Sequence, residues 1–165
     1  MEDAKEAIVL KQFAQIMDTV LPATTVDAHC DGPCGVYDPA SARIAAEAAV
    51  SMTKKIAGME APNGSDSAAM AAYLNTLGRY VAIKEQQAHL AKEELLVLWT
   101  DYFKPHHLEA YPNLHNTFWT AAKLCSAVKV EVSVEHAGEL MDAIKEIHTI
   151  FWATKGRDVS WYTAS

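Results

Sequence analysis

The sequence predicts an all-α protein, an antiparallel four-helix bundle. Three observations carry this. Apolar residues recur at helical spacing in four long stretches, the stretches are joined by short breaker-rich connections, and nothing reads as a set of pairing strands. Half of the 165 residues are hydrophobic and 21% are charged, so one core can be buried without a disulfide scaffold.

The elements follow in chain order. Residues 1–28 are a separate leader, with Val9, Phe13, Ile16 and Val20 at helical spacing and then the linker TTVDA. Glu2, Asp3 and Glu6 stand where a secretory signal would be basic, and Lys11 and Gln12 interrupt the apolar run. Residues 29–165 form the main domain. Asp38 can cap a helix that enters at Pro39, with Ile44, Ala48, Met52 and Ile56 on one stripe. APNGSDS (61–67) is a loop by its Pro, Gly and Asn content. A long helix over about 67–98 carries Met70, Leu74, Leu77, Val81, Lys84, Ala88, Ala91, Leu95 and Leu98, with only Lys84 out of character. TDYFKPHHLEAYPNLH is a turn region broken by Pro105 and Pro112. A third helix spans about 112–130, and a fourth begins near Ser133 with Leu140, Ile144, Ile147 and Phe151 facing the core. VKVEVSV alternates like a strand, but a lone strand has nothing to pair with, so it reads as a helix end and linker.

Composition excludes several functions. A formal charge of −7 argues against nucleic acid and anionic membrane as partners. No apolar run approaches the roughly 20 residues that cross a bilayer, and the poor signal character of the leader predicts a cytoplasmic protein.

The chemistry is concentrated in HCDGPCGVYDP, residues 29–39. The usual bundle sites are missing: no Glu-x-x-His pair for a di-iron centre, no phosphate loop and no nucleophile elbow. His106, His107 and His115 read as capping residues of a solvated loop. Cys125, among Ala and Leu, reads as a small core residue, and Trp99, Trp119, Trp152 and Trp161 as core and interface anchors. Cys30 and Cys34 flank Asp31-Gly32-Pro33, a turn that can aim both sulfurs at one point, for a metal or a disulfide. Adjacent His29 favours metal, since thiolate with imidazole suits Zn, Ni or Cu. Cleavage between Ala28 and His29 would add an α-amine. That amine, the Cys30 backbone nitrogen and two thiolates make an N₂S₂ set suited to Ni(II) or Cu(II), with His29 axial.

HCDGPCGVYDP resembles the metal-binding hook of the nickel-containing superoxide dismutases, whose mature chains begin at the hook histidine. The resemblance continues through AIKEQQAHLAK, VLWTDYFKP, YPNLH and IFWATK, from His29 to about Lys155. It implies one nickel ion per subunit, with His29 giving amine and axial imidazole, Cys30 thiolate and backbone nitrogen, and Cys34 the second thiolate. It implies that Tyr37 and Tyr102 lie beside the open face of the metal, where they order water and relay protons. It further implies conversion of superoxide to dioxygen and hydrogen peroxide by Ni(II)/Ni(III) cycling, a homohexamer, and a peptidase that removes residues 1–28 as a propeptide. Position 31–32 is Asp-Gly where family members often have Asp-Leu. Ala45 and Gln87 stand where family members commonly hold the axial imidazole through Glu and Arg, which bears on the tuning of His29. Lys104 is the candidate for a positive patch that attracts superoxide. Two rival readings are a non-catalytic nickel or copper store and a C-x-x-x-C thiol oxidoreductase.

Overall fold

The computed structural model describes residues 35–164. The leader, the Ala28–His29 junction, the Asp31-Gly32-Pro33 turn and His29, Cys30 and Cys34 lie outside the described residues. Four long helices make the frame: α1 (Ala40–Ala57), α2 (Ser67–Val97), α4 (Leu114–Val130) and α5 (Val134–Thr154). A π-helical segment (Leu98–Tyr102) extends α2, and the short α3 (His107–Ala110) lies between it and α4. No strand occurs among the described residues, and VKVEVSV ends α4 and passes into a linker.

Local chemistry sets the helix starts. Asp38 Oδ1 accepts the Ala40 N–H at 2.8 Å, so the chain enters α1 through Pro39 with its free donor satisfied. Asp66 Oδ1 accepts from Ala69 N at 2.9 Å and Ser133 Oγ from His136 N at 3.1 Å, capping α2 and α5. Neighbours pair in a closed ring: α1 with α2, α2 with α4, α4 with α5, and α5 with α1. Short connections make sequential partners antiparallel, and the ring is a four-helix bundle.

Leu140, Ile144, Ile147 and Phe151 all face the core, as expected, and meet Leu95, Leu114, Phe118 and Val128. Cys125 is fully buried among them, and burial pushes its thiol up to about 12, so it is no thiolate. Trp99, Trp152 and Trp161 pack against the core, whereas Trp119 stands 57% exposed.

Two expectations fail. The first is the buried stripe of α1. Ile44 is 59% exposed, and Ala42, Ala45, Ala46, Ala49 and Thr53 are buried instead. Alanines let the α1 backbone approach its neighbours closely, and α1 has apolar residues on more than one face, so period alone does not choose. The second is the N-terminal half of α2. Lys84, Ala88, Ala91, Leu95 and Leu98 are buried, but Leu74 is 56% and Val81 39% exposed. Geometry explains it: α2 runs about 47 Å and α4 only about 26 Å at 1.5 Å per residue.

Lys84 marks where α4 stops. Its Nζ donates to the carbonyls of Val128, Lys129 and Glu131, the last at 2.9 Å. These oxygens have no partner within their own helix, and a cation suits a helix C-terminus. The same burial holds the Lys84 pKa below its ordinary value. No helix among the described residues is long and apolar enough to cross a membrane.

Candidate metal centre and a tyrosine pair

The described part of the hook begins at Gly35, directly after Cys34. Its φ of +68° lies in the left-handed region, which a side chain at this position would resist. The backbone therefore turns sharply at once, and Tyr37 follows two residues later. Asp38 then starts α1, so Tyr37 is held at the N-terminal end of that helix.

Tyr102 reaches the same end from a different element. The sequence reads TDYFKPHHLEAYPNLH, residues 100–115, as a turn region, but the helix continues to Tyr102 in π geometry, closed by Phe103 N–H donating to Leu98 C=O at 3.2 Å. The extra residue in that turn shifts the phase of the side chains that follow, and such turns recur at functional sites. Tyr102 and Tyr37 lie with ring centroids 5.6 Å apart, so the structure brings together the two tyrosines picked out from the sequence.

The surroundings of Tyr102 are mostly aromatic. Phe151 lies 4.5 Å and Phe103 4.9 Å from it by ring centroids, and His107 stacks on it at 5.7 Å. His107 Nδ1 accepts the Lys104 backbone N–H at 3.0 Å, which requires that nitrogen unprotonated. Burial first, and His106 beside it second, lower the His107 pKa below its ordinary value. The Tyr102 hydroxyl is 2.6 Å from Thr154 Oγ1, and Thr154 Oγ1 donates to Phe151 C=O at 2.6 Å. Neither Thr154 nor the π turn was singled out from the sequence, because the bond spans 52 residues between two helices.

Lys104, expected to supply positive charge, donates from Nζ to Asp101 C=O at 2.8 Å on the exposed side of the π turn. A second cation was missed. Lys155 Nζ lies 4.8 Å from the Tyr102 ring centroid, a cation–π contact on the tyrosine itself. Its sequence signal was IFWATK, whose lysine ends the stretch of family resemblance. Ala45 is buried in the core and Gln87 half-buried on α2. His106, His107 and His115 are not joined as a cluster: His115 Nδ1 accepts from Trp99 Nε1 at 2.8 Å while His107 caps the turn.

A buried ion pair also escaped the sequence. Arg43 on α1 meets Glu47 at 3.2 Å, and the guanidinium lies 4.4 Å from the Tyr162 ring centroid. The segment after α5 folds back to make this contact, with Val159 C=O 2.8 Å from His148 Nε2 and the Trp161 ring 5.4 Å from the His148 ring.

Two thiolates at Cys30 and Cys34 with nitrogen donors at His29 and Cys30 would suit a tetragonal ion such as nickel better than tetrahedral zinc. Residues 24–155 match the family model described as nickel-containing superoxide dismutase. A "Superoxide dismutase [Ni]" of Streptomyces coelicolor is 44% identical over 134 residues, which is 81% of this chain and 93% of that protein. The protein of the same name from Streptomyces seoulensis is 45% identical over an equal span. A crystal structure of nickel-containing superoxide dismutase with nickel ligation of the oxidized state superposes with a TM-score of 0.67 at 44% identity. It covers 78% of this chain and 100% of the other. With the hook sequence, the helical bundle and these matches in agreement, the chain belongs to the nickel-containing superoxide dismutases, oxidoreductases that act on superoxide with nickel as cofactor.

Proposed function

We propose that this chain disproportionates superoxide at a nickel site formed by residues 29–34 once residues 1–28 have been removed. His29 supplies its α-amine and imidazole, Cys30 its thiolate and backbone nitrogen, and Cys34 its thiolate. Nickel in such a set supplies the one-electron oxidation and reduction. The chain's other residues handle the substrate and its protons.

One observation carries the placement of the tyrosines. Tyr37, three residues after Cys34, and Tyr102, from a distant helix, meet at one end of the bundle. Two phenols there can hold a water and pass protons to reduced dioxygen, a task for hydroxyl groups rather than carboxylates that would repel the anion. Lys155 offsets part of the −7 charge where the anion would arrive. Ala45 brings neither charge nor hydrogen bond to His29, and Gln87 can offer only a neutral one.

The uncut chain lacks the terminal amine, because an amide occupies that position. A dedicated peptidase and a homohexamer, both implied by family membership, and a cytoplasmic site of action, from the poor signal character of the leader, complete the reading. Expression of the chain beginning at His29, loaded with nickel, should give a rhombic Ni(III) EPR signal split by nitrogen and superoxide consumption that depends on His29. Full activity of nickel-loaded, uncut protein would refute the role of the leader, and inactive protein holding tetrahedral zinc would refute the nickel site.

A further inference from the structure

We propose that Thr154 is a positioning residue for Tyr102, pinning the phenolic proton so that Tyr102 faces the reaction site as a hydrogen-bond acceptor. The inference deepens the proposed function and rests on its placement of Tyr102 beside the metal. Proton counting establishes the direction. Thr154 has one hydroxyl hydrogen, and it donates to Phe151 C=O at 2.6 Å, an oxygen that can only accept. In its 2.6 Å contact with Tyr102, Thr154 must then be the acceptor and the phenol the donor. The chain of bonds runs one way, Tyr102 to Thr154 to Phe151.

The rest of the pocket keeps the ring from turning away. Phe103 and Phe151 hold its edges, His107 stacks on it, and Lys155 lies against the ring. With its proton committed, the Tyr102 oxygen offers lone pairs to a water or to the O–H of the product. It attracts anions less than a free phenol would, because donating to one means giving up the bond to Thr154. Tyr37 differs: among the described residues its hydroxyl has no hydrogen bond that would commit its proton as Thr154 commits that of Tyr102.

The test replaces Thr154 with Val, which keeps the shape and loses the hydroxyl, and with Ser, which keeps the hydroxyl. Azide serves as the small-anion probe of the nickel-loaded protein, and the tyrosine Raman doublet, taken as a difference against Tyr102→Phe, reads the phenol's bonding in metal-free protein. In Thr154→Val the doublet should leave its donor pattern and azide should inhibit about fivefold more tightly, the equivalent of one neutral hydrogen bond. Thr154→Ser should restore both, and Thr154→Ala should match Val if the valine packs poorly. An unchanged doublet in both Val and Ala variants would overturn the proposal, as would a shifted doublet with unchanged azide inhibition. Azide inhibition indifferent to Tyr102→Phe would instead remove Tyr102 from the anion site, and the proposed function would fail at that residue.

Discussion

The two halves of α2 obey the same helical period and meet different fates. From Lys84 to Leu98 every fourth or third residue is buried; from Ser67 to Val81 none is, although Met70, Leu74, Leu77 and Val81 continue the same stripe. The boundary falls at Lys84, where α4 ends and its last carbonyls close on the lysine ammonium. Beyond it α2 has α1 for company but no α4. An apolar stripe therefore records what a helix is suited to bury, while the lengths of its partners decide how much of it is covered.

Substitutions along the stripe can break or sharpen that contrast. Leu95→Ala in the covered half should cost about 3 kcal/mol by urea denaturation, since the residue is fully buried and leaves a cavity. A cost below about 1 kcal/mol would mean the covered half is loosely packed. Lys84→Met should cost about 2 kcal/mol in the same measurement, because three carbonyls lose a charged donor that a methionine cannot replace. A neutral outcome would mean that water takes over at the end of α4.

The tyrosine end of the bundle should respond to acid. The His107 pKa is lowered in the folded protein, so between the ordinary imidazole value near 6.5 and that lower value the unfolded chain binds more protons. The stability that neutral His107 contributes is present above about pH 6.5 and is lost as pH falls through that window. Protonation also ends its acceptance of the Lys104 N–H, next to His106 and the rings of Tyr102 and Phe103. The thermal midpoint should decline on acidification less steeply in His107→Asn than in the native chain; identical profiles would clear His107 of the effect. The smallest change belongs to the overhang. Leu74→Ala should alter the stability of the isolated subunit by no more than about 0.5 kcal/mol. A larger cost, appearing only at protein concentrations where subunits associate, would show that assembly covers this half of α2.

Much of the fold was legible because its signals are local. Asp38 before Pro39, Asp66 before the alanines of α2, and Ser133 before α5 each cap the helix that follows through a bond to a backbone N–H two or three residues on. The misread stripe of α1 shows the limit of such signals. Ile44 is more hydrophobic than Ala45, yet only Ala45 is small enough for the close approach of α1 to its neighbours. The π turn was missed for a related reason. LWTDY has no helix breaker, and its wider winding shows in the Phe103 to Leu98 bond rather than in composition.

By itself the sequence determined the membership of the family and supplied the proposed donor set of His29, Cys30 and Cys34, because ligand chemistry and motif order reside in the residues themselves. The tertiary structure alone decided that Lys155 lies against Tyr102, that Lys84 closes α4, and that the Tyr102 hydroxyl meets Thr154. Each of these joins groups more than forty residues apart in the chain, and such contacts exist only once the helices have packed.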